Sequence, residues 1–168
     1  MPRKMLLASI VCGLIAIAFQ PTSAAAATPS LAGSWQFTLT PTSPPTPPVI
    51  TIPGLATFTT DGSVVETDGS EFVPTPSSAT PMNASTPGHG IWQLANTPTS
   101  LYVQYISLVL NLDGSLFARN VTTMFLSLNA KGNQFAGSYT TIQELGGSTK
   151  TLSTGTVSGV LIPHVPLP

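Results

Sequence analysis

Leu101-Tyr-Val-Gln-Tyr-Ile-Ser-Leu-Val-Leu-Asn-Leu112 is followed by Asp113-Gly114 and then by Ser115-Leu-Phe-Ala-Arg-Asn-Val-Thr-Thr-Met-Phe-Leu-Ser-Leu-Asn129. Two runs rich in β-branched and aromatic residues flank a single Asp-Gly, which predicts a β-hairpin with a type I′ turn. Each arm has about a dozen residues, about twice the usual strand length. Strands this long favour a closed barrel over a sandwich.

The stretch from Leu31 to Thr40 alternates cleanly, with Gly33, Trp35, Phe37 and Leu39 on one face and polar residues on the other. Such alternation is typical of a half-buried strand. Further apolar runs follow, separated by turns rich in glycine, asparagine and aspartate. The sequence therefore predicts an all-β fold, an antiparallel up-and-down β-barrel of about eight strands. The interior of such a barrel is either filled or holds one small ligand.

The N-terminal segment predicts export. A basic start precedes an apolar run from Met5 to Phe19 and then a series of small residues. This run is shorter than the ~20 residues of a membrane-spanning helix, so residues 1–27 are expected to be a cleaved signal peptide of bacterial type. The protein would then be secreted or periplasmic. Residues 28–168 would form a single barrel domain with a proline-rich C-terminal tail.

Composition narrows the classes of function. Only 7% of the residues are charged, against a typical value of about 25%. Loss of Arg3 and Lys4 with the signal would leave three basic and six acidic residues. Nucleic-acid binding needs a basic face, so it is not expected. Stable membrane insertion is not expected either, because the aromatic residues form no girdles.

The segment Gly33-Ser34-Trp35 resembles the Gly-x-Trp signature that opens the first strand of lipocalins and related calycins. The resemblance implies an eight-stranded barrel in which Trp35 plugs one end. Two features depart from that family: the last strand, around Val157 to Leu161, carries no arginine, and the chain ends in prolines and not in a helix. The chain also resembles small barrel cyclases of the allene oxide cyclase type, which imply cofactor-free chemistry on a lipophilic substrate.

Few residues in the mature chain could carry chemistry. No histidine pair has ligand spacing and the predicted mature chain has no cysteine, so neither a metal site nor another cofactor is expected. Arg119 lies mid-strand among apolar neighbours, where it pairs with Glu66 or Glu144, extends outward as an exposed side chain, or anchors a ligand carboxylate. His89 is either an acid or base at the barrel mouth or an exposed histidine. The candidate catalytic residues are Arg119, Glu66 and His89.

These observations predict a barrel that binds a small lipophilic molecule, with the loop from Asp68 to Pro87 as its lid. One alternative is a cofactor-free cyclase or isomerase that uses the same cavity; another is a structural or surface protein whose barrel is filled. Both faces of the long hairpin are apolar, which fits either an apolar cavity or a homo-oligomer that buries the outer face. The predicted ligand-binding residues are Trp35, Trp92, Tyr102, Tyr105, Arg119, Met124, Phe125 and Tyr139.

Overall fold

The computed structural model describes residues 30–43, 50–69 and 84–163. These residues form nine β-strands in a single antiparallel sheet that closes on itself. The strands are β1 (Gly33–Ser43), β2 (Ile52–Phe58), β3 (Ser63–Asp68), β4 (Ala84–Ser85), β5 (Gly88–Leu94), β6 (Ser100–Leu110), β7 (Leu116–Leu128), β8 (Gln134–Leu145) and β9 (Ser148–Leu161). Each barrel strand pairs with the next one along the chain, except that β3 pairs with β5 and not with β4. The short β4 pairs with the part of β6 that extends beyond β5. The predicted eight-stranded up-and-down barrel is confirmed.

The barrel closes between β1 and β9, where Trp35 lies opposite Leu161 and Thr40 lies opposite Thr156. The predicted hairpin joins β6 to β7 from the Ser100–Ser127 pair to the Leu110–Leu116 pair. Since β6 to β9 have 11 to 14 residues each and β2, β3 and β5 have only six or seven, the wall is taller on one side.

The turn of the long hairpin differs from the sequence prediction. Asn111 donates its N–H to the carbonyl of Ser115, and Gly114 donates to the carbonyl of Asn111, with φ of 80° at Gly114. This is a three-residue hairpin loop with glycine in the left-handed position, not a two-residue type I′ turn. Two consecutive positive φ values occur instead at Gly146 and Gly147, between the paired Leu145 and Ser148.

The alternation predicted for β1 is confirmed, because Trp35, Phe37 and Leu39 are buried and their neighbours are more exposed. Inward-facing side chains of the eight barrel strands pack together in one core. Within the described ranges, no helix is long and apolar enough to cross a membrane. The core comprises Leu31, Trp35, Phe37, Leu39, Ala56, Phe58, Val64, Leu101, Val103, Tyr105, Met124, Leu126, Leu128, Phe135, Tyr139 and Val157.

Several predictions concern segments that lie wholly or mostly outside the residues that the structure describes. The predicted signal peptide and most of the proline-rich tail lie outside the described residues. So does most of the predicted lid, of which the structure describes Asp68, Gly69 and the segment from Ala84 onward. That segment contains β4, whose pairing with β6 places its residues in the wall and not in a loop.

Candidate functional site

A continuous row of polar side chains crosses the interior from β6 to β9. Tyr105, Thr122, Thr141 and Ser153 are successive partners in the strand register. The hydroxyls of Thr122 and Thr141 are 2.9 Å apart, and the hydroxyl of Tyr139 lies 2.9 Å from that of Ser153. We call these five residues the polar belt. Its hydroxyls pair with one another, which offsets the cost of burying them.

Glu66 extends the belt onto β3. Its side chain points into the barrel and is only 4% exposed. Its partner in register is Gly88, where an added Cβ would overlap Oε1 of Glu66 and would lie 2.5 Å from Cδ2 of Tyr105. Because Gly88 has no side chain, the carboxyl of Glu66 and the ring of Tyr105 can occupy this space.

Both phenols of the belt remain neutral well into the alkaline range. Burial raises the pKa of Tyr105 well above its usual value of 10.0, and the negative charges of Glu66 and Asp68 add to this effect. Burial also raises the pKa of Tyr139, while its hydrogen bond with Ser153 acts in the opposite direction. At neutral pH these groups are hydrogen-bond donors and acceptors, and not bases.

The free space beside Glu66 is small. It amounts to about 10 Å³ and is lined by Glu66, by Tyr105 and by apolar side chains that include Phe37, Val103 and Met124. A volume of about 10–15 Å³ on this measure is needed for one water molecule. A larger ligand would fit here only after these side chains move.

The structure separates the predicted site residues into two groups. Glu66, Tyr105 and Met124 line the small void together. Tyr139 and Trp35 are also buried inside, and Trp35 donates its indole N–H to the carbonyl of Leu31 at 2.8 Å. The ring of Trp35 contacts that of Phe135, with centroids 5.1 Å apart, at the end of the barrel where β1 begins. Trp92 packs against the core and donates its indole N–H to the carbonyl of Thr59 at 2.8 Å.

The remaining candidates point away from the interior. Arg119 pairs with Glu144, with 2.6 Å between Nη2 and Oε2, and both side chains are substantially exposed. This is one of the two ion pairs that the sequence allowed. Tyr102 and Phe125 pack edge-to-face on the outer wall, and Phe125 is 59% exposed. His89 is exposed between Val65 and Ile106 in the register.

Of the three candidate catalytic residues, only Glu66 therefore faces the interior. The outer face that carries the others also exposes large apolar side chains, such as Val65 and Ile91. The homo-oligomer stays a prediction.

Sequence reasoning missed the belt residues Thr122, Thr141 and Ser153. Their signal was present, because Thr122 shares the buried face of β7 with Met124 and Leu126. Glycines flank His89 in the sequence, but only the strand register shows that Gly88 lies opposite Glu66 and that Gly90 lies opposite Tyr105.

Among the described residues, no three His, Cys, Asp or Glu side chains come together as a metal site. In comparisons with known proteins, no family model, curated protein or solved structure matched this chain. The resemblance to lipocalins therefore rests on the closed eight-stranded barrel and on Gly33 and Trp35 at the start of β1.

Proposed function

We propose that this barrel binds a small lipophilic molecule that carries one cationic or hydrogen-bond-donating group. The observation that carries the proposal is the burial of the carboxyl of Glu66 within an otherwise largely apolar lining. Ligand sites are mostly apolar, with a few polar groups that orient the ligand. Glu66 would receive the polar group, and the ring of Tyr105 would limit its position.

Binding requires the interior to expand, because the void of about 10 Å³ is far smaller than a ligand. Met124 lines this void, and methionine is unbranched and readily adopts new rotamers. We infer that displacement of Met124 opens the space toward Val103 and Phe37. The affinity would come from buried apolar surface, at about 25 cal/mol per Å², less the cost of this rearrangement.

The lipocalin-like architecture supports the same proposal, since the resemblance implies a barrel that encloses a small lipophilic molecule. We also propose that the protein is exported, from the N-terminal pattern of residues 1–27. Mass analysis of the exported protein should show an N-terminus between Ala25 and Thr28. Retention of the intact N-terminus would contradict export by cleavage.

Native mass spectrometry of protein purified without detergent from the cells that secrete it tests ligand binding. We expect a discrete adduct of a few hundred daltons that is lost on denaturation. Glu66→Gln should lose the adduct, whereas Glu144→Gln, which alters a carboxylate on the outer wall, should retain it. A wild-type protein without adduct, or an adduct that survives Glu66→Gln, would count against the proposal.

A structural protein with a filled barrel is the second candidate, and the small size of the interior void favours it. The two candidates differ in their response to an apolar fluorescent probe. A binding barrel should enclose the probe and gain stability in proportion to its concentration. A filled barrel should show neither enhanced fluorescence nor a shift in its unfolding midpoint.

A further inference from the structure

A groove of about 610 Å³ crosses the outer wall over β7, β8, β9 and β1. It lies on the opposite side of the sheet from the polar belt. Small-molecule sites typically have volumes of about 300–1,000 Å³, so the groove is large enough for a ligand.

The strand register explains why the wall is hollow here. Ser127, Ala136, Ser158 and Thr38 are successive partners across the four strands, and their small side chains form a low floor. Two residues further along, Gln134, Val160 and Gln36 form a parallel row of longer side chains. The difference in side-chain length between these rows produces one wall of the groove.

The lining is neutral and rich in hydrogen-bonding groups. No residue that lines the groove is ionisable. The side chains of Gln36, Thr38, Ser127 and Ser158 make no hydrogen bond within the part of the chain that the structure describes. Their donors and acceptors are therefore available to a ligand.

One end of the groove is held in place by the turn between β7 and β8. The amide nitrogen of Asn129 donates to Oδ1 of Asn133 at 2.9 Å and to Oε1 of Gln134 at 3.4 Å. The side-chain oxygen of Asn129 accepts the backbone N–H of Asn133 at 3.0 Å. This network reduces the conformational entropy that Gln134 would lose on binding a ligand.

We propose that this groove binds a neutral, hydroxyl-rich ligand of the size of a short oligosaccharide. Amide and hydroxyl side chains match the alternating donors and acceptors of sugar hydroxyls. The apolar atoms of Ala136 and Val160 provide contact for the C–H surface of a sugar ring. The absence of ionisable lining residues disfavours charged ligands, and the exposed amides disfavour a purely apolar one, since their desolvation would not be repaid.

The test is a titration of isotope-labelled mature protein with chitotriose, cellotriose and maltotriose, followed by NMR. At least one sugar should shift the amide signals of residues 34–38, 127–136 and 158–160 at micromolar to millimolar concentration. Gln36→Ala should weaken binding by about three- to tenfold, the usual effect of losing one hydrogen bond. Ser158→Leu should fill the floor and abolish the shifts.

Gln93→Ala is the matched control, because Gln93 is also an exposed glutamine but lies on β5, outside the groove. It should bind the sugar as the wild type does. Unchanged spectra with all three sugars, shifts that map outside the groove, or equal losses in Gln36→Ala and Gln93→Ala would overturn the proposal. The interior site is independent of this result, because Gln36 and Ser158 face away from it.

Discussion

The two halves of the barrel interior differ sharply, although the same strands build both. On β7, the inward residues change from Asn120 and Thr122 to Met124 and Leu126. On β6, they change from Ser107 and Tyr105 to Val103 and Leu101. One half is therefore an apolar plug around Trp35, and the other is polar and contains the belt and Glu66.

Because of this difference, we expect the apolar half to provide most of the folding stability and the polar half to determine ligand binding and the response to pH. The plug removes apolar surface from water, and that is the main source of folding free energy. The belt mainly exchanges hydrogen bonds with water for hydrogen bonds within the protein, a net gain of only about 1 kcal/mol each. Changes in the plug should therefore unfold the protein, whereas changes in the belt should alter binding and pH response.

The largest effect is expected in the plug. Trp35→Ala should lower the free energy of unfolding by about 3–5 kcal/mol, because a fully buried indole leaves a cavity and the indole N–H loses its hydrogen bond. Chemical denaturation measures this loss. Trp92→Ala, at a partly buried position, should cost less. Equal losses would show that the plug is not the main source of stability.

A smaller loss is expected where the polar half is most crowded. Gly88→Ala should destabilise the fold by about 1–3 kcal/mol, because the added methyl group overlaps Glu66 and Tyr105. The double variant Gly88→Ala/Glu66→Ala should recover part of this loss. Failure of the second change to restore any stability, measured by denaturation, would mean that Glu66 and Gly88 do not share this space.

The polar half should also determine the alkaline stability. Above pH 10.0 an unfolded tyrosine releases its proton, whereas folded Tyr105, with its raised pKa, retains it. The unfolded state then binds fewer protons, so stability falls as pH rises from 10.0 towards the pKa of folded Tyr105.

Tyr105→Phe should reduce the loss of stability at alkaline pH. At neutral pH it should lower the free energy of unfolding by about 1 kcal/mol, because a hydrogen bond is lost. Unfolding measured between pH 8 and pH 12, a range that spans the usual tyrosine pKa of about 10, checks it. An unchanged slope in Tyr105→Phe would contradict the assignment.

The smallest loss of stability is expected on the outer wall of the barrel. Arg119→Ala should cost about 0–1 kcal/mol at low salt, since the ion pair with Glu144 is substantially exposed. The difference from wild type should vanish at high salt. Glu144→Gln should behave alike, and a larger, salt-independent loss would indicate a role for Arg119 beyond this pair.

Much of the fold could be predicted from local patterns. The alternation through Trp35, Phe37 and Leu39 gave the buried face of β1, and Asp113-Gly114 gave the position of the long hairpin. The type of turn could not be predicted, because Asp-Gly suits a two-residue loop and also a three-residue loop with glycine in the left-handed position. The polar belt could not be predicted either, because its members are distant in sequence and only the strand register makes them neighbours.

The sequence by itself determined the all-β class, the closed barrel of about eight strands and the face of β1 that is buried. Only the tertiary structure decided which face of the long hairpin lies inside, because both faces are apolar and a shift of one residue exchanges them. Pairing of β6 with β5 and of β7 with β8 turned Tyr105 and Met124 inward and Arg119 and Phe125 outward. The physical reason is that a strand with apolar residues on both faces does not itself specify which face points into the barrel. That choice then depends on how the strand pairs with its neighbours.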